Sequence, residues 1–332
     1  YFGYALERTM GLRFLLAAVI ALAIALPIAI SARGKLVKPD PKVETTYGEK
    51  ESVDRPLKLR QIYRYQQKII PLHKKLGEPA ADEWLANHSE SGQTFKEYRQ
   101  ARPVMPRGKR TVLYVLPLGD FTESQSKIVE LSAEFLSTYF HRPVRVHEAL
   151  PLSVIPDDAR RVHPDWGVRQ ILSTYVLSDV LVPRLPDDAA AYIALTASDL
   201  WPGDGWNFVF GQASLWERVG VWSMNRNGDP DEDERTFRLC LLRTLKTATH
   251  ETGHMFSIKH CTDYECNMCG SNHLEESDRQ PLTACPQCVA KLWWGTGADP
   301  AQRYQRLAEF CQRNQLTETQ EQFEKAAAAV SQ

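Results

Sequence analysis

The sequence predicts an α/β (α+β) chain, and three observations carry that expectation. Short apolar, β-branched runs alternate with segments of helical periodicity between residues 111 and 224. A long amphipathic segment follows over 234–256, and histidines and cysteines crowd the stretch directly after it. With 332 residues, 43% of them apolar and 24% charged, the chain is long enough to bury a substantial core.

Taken in order, residues 14–32 (FLLAAVIALAIALPIAISA) carry no charge, follow Arg8 and Arg13, and precede Arg33 and Lys35. Residues 1–33 therefore read as a signal peptide or membrane anchor, either cleaved near Ser31 or Ala32 or retained as a single-pass span. Arginines on its N-terminal side predict an exported domain, secreted, periplasmic or anchored outside; a tether on the cytoplasmic face of the membrane is the alternative. Residues 34–52, rich in Pro, Lys and Glu, read as a linker. Residues 53–105 read as a helical extension with Tyr63, Tyr65, Ile69, Ile70 and Leu72 as its buried positions.

Within a domain spanning 106–295, residues 111–118 (TVLYVLPL) read as a buried strand and 123–140 as a helix with Ile128, Leu131, Phe135, Leu136 and Tyr139 on one stripe. Strands are expected at 144–146, 190–196, 208–214 and 219–224, with a helix at 168–182. The helix over 234–256 aligns Phe237, Leu241, Leu245 and Ala248. Residues 296–332 read as a C-terminal helical extension. A net charge of −1 leaves no positive field for nucleic acid, so membrane contact is expected only through the N-terminal segment.

The chemistry lies in HETGHMFSIKHC, residues 250–261. His250 and His254, one helical turn apart, present two imidazoles on one face. Catalytic zinc takes three protein ligands and an open position, and His260 supplies the third if the chain turns sharply after Phe256. Glu251, beside the first ligand, is placed to act as general base on the zinc-bound water. All seven cysteines fall in the last third of the chain. Of these, Cys261, Cys266, Cys285 and Cys288 form paired thiols with the pattern of a closed structural zinc site. Cys240 and Cys311 read as buried apolar residues.

These motifs resemble the archaemetzincins, whose pattern is HExxHxxGxxHC, then CxM, then CxxC. Here the chain reads HETGHMFSIKHC, Cys266-Asn267-Met268, and CPQC. The resemblance extends to 270–282, to 199–214 with its WNFVFG, to 220–223 and to 94–99, and covers about residues 90–295 in all. It implies a metzincin-like zincin fold: a mixed twisted sheet with backing helices, an active-site helix and a small zinc-stabilised C-terminal lobe. It implies two Zn2+ per chain, one catalytic and one structural. Met268 would form a Met-turn beneath the catalytic ion. Phe208, Val209, Phe210 and Gly211 would line the cleft on an antiparallel edge strand, suited to an extended peptide or unfolded protein substrate.

Two residues depart from the pattern. Ser257 stands where the family has glycine, at a turn that calls for positive φ, so a glycine there is expected to stabilise the chain. Cys269 adds a thiol beside the Met-turn and reads as a bystander. His273, Glu275 and Glu276 read as polar groups opening a helix. The leading functional expectation is a zinc metallopeptidase. A zinc-stabilised peptide-binding module is the alternative, and a zinc-ribbon nucleic-acid binder leaves three histidines and a glutamate unexplained.

Overall fold

The computed structural model describes residues 59–332, together with the backbone of the two-residue strand β1 (Lys35–Leu36). The segment 14–32 lies outside the described residues. Among those described, no helix is long and apolar enough to cross a membrane.

In chain order the elements are β1, α1 (Leu59–Ile69), α2 (Trp84–Asn87), α3 (Phe95–Gln100), β2 (Val112–Leu118), α4 (Glu123–Phe140) and β3 (Val144–Val146). Next come β4 (Arg160–Val162), β5 (Arg169–Leu172), α5 (Ser173–Tyr175), β6 (Ala189–Thr196), β7 (Asp199–Trp201), β8 (Gly211–Ala213) and β9 (Val219–Ser223). The helices α6 (Glu234–Met255), α7 (Leu274–Arg279), α8 (Pro286–Thr296), α9 (Pro300–Arg313) and α10 (Thr317–Ser331) complete the set.

Six strands form the main sheet in the order β1-β3-β2-β6-β9-β8. The inner four run parallel, while β8 is antiparallel to β9 at one edge and β1 antiparallel to β3 at the other. Every residue of β2 and β6 is buried, because both sheet faces are covered. Leu113 and Val115 face the core shared with α4 and α6. Tyr114 and Leu116 face a second cluster containing Val176, Val180 and Leu181. Strands β4, β5 and β7 form a separate small sheet. The mixed α/β class predicted from the sequence is the class observed.

Local rules set the helix ends. Thr122 and Gln125 make a capping box at the start of α4, and Asp233 accepts from the Thr236 amide to open α6. On α6, Leu241, Leu245 and Ala248 are fully buried and Phe237 packs beside them, as the periodicity predicts.

Three local expectations are corrected. Residues 168–182 do not form one helix: Arg169–Leu172 pairs as a strand with β4 and β7, and helical backbone begins only at Ser173. Pairing partners distant in sequence override the local periodicity there. The expected strand over 208–214 shortens to Gly211–Ala213, with Val209 making a separate bridge to Leu200. In α1 the buried positions are Ile62, Gln66 and Ile69, whereas Tyr63 and Leu72 are exposed. Gln66 escapes a hydrophobicity count because its amide donates to the Pro286 carbonyl inside the core.

The stretches read as extensions are not appendages. Ile62, Ile69, Phe95 and Tyr98 from before residue 106, and Leu307, Phe310 and Phe323 from after 295, belong to the same buried cluster as Leu241 and Met255. Two residues of the presumed linker pair with β3.

Candidate metal centre and peptide cleft

Helix α6 delivers the first two histidines at its last turn and then stops. Phe256 closes it, and Ser257 turns the chain with φ of 61°, the left-handed conformation expected there. The serine does more than tolerate that turn. Its hydroxyl accepts from the Val104 amide at 3.0 Å and donates to the Leu215 carbonyl at 3.3 Å. A glycine would relieve the backbone but orphan the Val104 amide, so the expectation that glycine stabilises this position no longer holds.

The turn brings His260 back to the helix, and ligand atoms of His250, His254 and His260 all lie within 4.8 Å of one another. Each Nδ1 has an acceptor as its partner. His250 donates to the Asn267 carbonyl at 2.7 Å, and His254 to the Ile258 carbonyl at 2.6 Å. His260 donates to the Glu90 carboxylate at 2.9 and 3.0 Å. Because carbonyls and carboxylates only accept, the ring proton sits on Nδ1 and each Nε2 keeps a free lone pair. The Nε2 atoms of His250 and His254 stand 2.9 Å apart. Two lone pairs at that distance repel unless a cation lies among them, so the donor set fits a divalent metal. Burial, with His260 adding to it, holds the His250 imidazole down to about 3, and His254 is held well below its ordinary range by burial and its two neighbours. Neutral imidazole is the form that ligates.

Glu251 is buried on the wall of the same cleft. Its carboxyl packs against Gly211 so closely that a Cβ there would stand 2.8 Å from Cγ and 2.9 Å from Oε1. Burial pushes its pKa up to about 8, and a cation among the histidines would act in the opposite sense. Met268 is buried against Gly253 of the ligand helix, where an added Cβ would meet its sulfur at 2.7 Å.

Cys261, Cys266, Cys285 and Cys288 form the second group, with their sulfurs within 4.8 Å of one another and all four buried. Backbone amides point at these sulfurs: Cys285 and Met268 donate to Cys266, and Cys288 donates to Cys285 at the start of α8. Such donors favour thiolate over thiol, which suits a closed tetrahedral site. Cys269 stays outside the group and donates to the Tyr264 carbonyl. His273 caps α7 by accepting from the Glu276 amide, the helix-start role expected of it.

The cleft has a volume of about 680 Å³ and runs between β8 and the histidines. Phe208, Val209, Phe210 and Gly211 all line it, and the Phe208 ring also stacks under the Arg226 guanidinium at 3.7 Å. Phe210 accepts from Ser223, and Ser214 donates to Val219. Alternation along the strand therefore directs the amides and carbonyls of Gly211 and Ala213 away from β9.

Residues 187–293 match the family described as peptidase family M54. Archaemetzincin-2 of Rattus norvegicus is 34% identical over 263 residues, covering 69% of this chain and 72% of the relative. The chain belongs to the archaemetzincin family. Archaemetzincin-2 of Homo sapiens is 32% identical over 69% of this chain and 71% of its own length. Among solved structures, the archaemetzincin of Methanopyrus kandleri is 30% identical and covers 58% of this chain and 99% of that one, with a TM-score of 0.45. As a member of this family the protein is a zinc-dependent metallopeptidase.

Several roles at this archaemetzincin site go beyond what motif reading assigned. Asn267 orients His250 through its carbonyl and anchors itself by donating to Thr249. Gly211 leaves room for Glu251. Glu90 and Gln93 come from before the family match, and Glu90 is 170 positions from its histidine. The position of Asn267 inside CxM was a usable signal; for Glu90 there was none, since the contact exists only after folding.

Proposed function

We propose that the cleft hydrolyses peptide bonds in extended or unfolded chains, with Glu251 as general base, and that the protein carries two zinc ions. His250, His254 and His260 would hold the catalytic ion, and Cys261, Cys266, Cys285 and Cys288 the structural one. When bound, catalytic zinc acidifies water and polarises a carbonyl oxygen. The substrate backbone adds to the outer edge of β8, pairing with the amides and carbonyls of Gly211 and Ala213. Glu251 then takes the proton of the attacking water and returns it to the leaving amine.

The observation that carries this reading is the packing of Glu251 on Gly211. It sets the acidic side chain that follows the first histidine in sequence directly against the strand a substrate would extend. The test is Glu251→Gln in zinc-replete protein, assayed on an unbiased peptide library. Cleavage should fall by about 100-fold or more; undiminished cleavage would remove Glu251 from the mechanism.

For location, we propose that residues 14–32 direct the domain out of the cytoplasm. The support is their uncharged composition after two arginines. A reporter fused after residue 50 should be active in the periplasm and silent in the cytosol. The reverse pattern in a membrane fraction would mean an inward-facing tether.

A further inference from the structure

His250 and His254 inherit their orientation from helix α6, but His260 does not. It follows a left-handed turn and lies in none of the helices or strands, so its imidazole must be aimed by something else. The Nδ1 acceptors of the first two histidines are main-chain carbonyls of the neighbouring loop. His260 alone of the three has a charged acceptor, the carboxylate of Glu90.

Glu90 does not act in isolation. The segment around it lies along the ligand loop. Gln93 accepts from the Lys259 amide at 3.3 Å and donates to the Ser257 carbonyl at 3.4 Å, gripping both sides of the turn. Gly92 sits so close to Thr262 that a Cβ there would stand 2.3 Å from its hydroxyl oxygen. Trp84 sets its ring edge-to-face with His260 at 5.3 Å, and its own amide is fixed by Glu276. Trp84 and Glu90 thus contact the third histidine while Gly92 and Gln93 hold its loop, all from a stretch that precedes the family match at 187–293.

We propose that Glu90 is a positioning residue for His260: it fixes the Nδ1–H tautomer, aims Nε2 at the metal, and makes metal affinity depend on the N-terminal segment. The proposal rests on the reading of His260 as a ligand. A carboxylate partner also raises the basicity of the imidazole, and loss of such a partner characteristically weakens metal binding by about 10–100-fold.

The test uses the full chain, purified in detergent and loaded with zinc, with chelator competition to measure the affinity of each ion. Glu90→Ala should weaken one ion by roughly 10–100-fold while the affinity of the other ion stays unchanged. Turnover should fall through kcat more than KM. Glu90→Gln, which keeps an acceptor oxygen, should recover most of the lost affinity. Unchanged affinity in Glu90→Ala, equal weakening of both ions, or a Glu90→Gln variant no better than alanine would overturn the proposal. His260→Ala separates the two levels. If it keeps both ions, the ligand reading itself fails; if it loses one while Glu90→Ala keeps both, only the positioning role fails.

Discussion

Gly211 on the edge strand and Glu251 on the ligand helix occupy adjoining space: an alanine methyl at 211 would stand 2.8 Å from Glu251 Cγ and 3.0 Å from Cδ. Something must yield, and the glutamate side chain is the movable partner. Gly211→Ala is therefore expected to displace the carboxylate while leaving both metal groups intact. A shift near 1 Å in a reacting group costs about 100-fold in rate. Steady-state kinetics beside a zinc assay would check this, and full activity with both ions bound would show that Glu251 need not sit against the strand.

Metal content is the second expectation. The histidine and thiol groups are separate, so zinc-loaded protein should hold close to two ions per chain. His254→Ala should lose one and remain folded. Cys285→Ser should lose the other and melt earlier, because structural zinc contributes directly to folding energy. Elemental analysis of the three proteins decides it, and a single ion in the unaltered chain would end the two-site scheme.

Ser257 gives a stability test with two opposing terms. Ser257→Ala keeps the strained φ of 61° and removes the hydroxyl that Val104 donates to, so it should cost about 1–2 kcal/mol. Ser257→Gly loses the same bond but relieves about 1–2 kcal/mol of backbone strain. Glycine should therefore lie near the unaltered protein and clearly above alanine in chemical denaturation. An alanine variant as stable as glycine would mean the left-handed turn carries no strain.

Met268 and Gly253 test packing against the ligand helix. Gly253→Ala drives a methyl to 2.7 Å from the Met268 sulfur and should cost about 1–3 kcal/mol through overpacking. Met268→Leu, a volume-conserving change, should cost less than about 1.5 kcal/mol and keep the catalytic ion. Thermal melts with zinc analysis would check both; loss of the ion in the leucine variant would give the sulfur a role beyond filling space.

Much of this molecule was legible from its residues in order. Continuous apolar, β-branched runs marked β2 and β6, whose two faces are both covered, and a period of 3.6 marked α4 and α6, because burial on a one-sided helix repeats with its own geometry. Spacing of four placed His250 and His254 together, and paired cysteines announced the thiol group, since local covalent geometry alone brings such neighbours close. The left-handed turn at Ser257 was expected only from the resemblance, whose pattern has glycine there. Tertiary structure decided everything that depends on residues far apart in the chain. Strand β5 exists because β4 and β7 pair with it, against its own helical pattern. Gln66 is buried because the Pro286 carbonyl waits for it, and Ser257 resists replacement by alanine because Val104 arrives to donate. Glu90 reaches His260 across 170 positions only once the N-terminal segment has packed on the ligand loop. A sequence records which contacts its neighbours can make; the partners that complete a buried polar group are chosen by the folded chain, because an unpaired donor or acceptor there costs too much to leave.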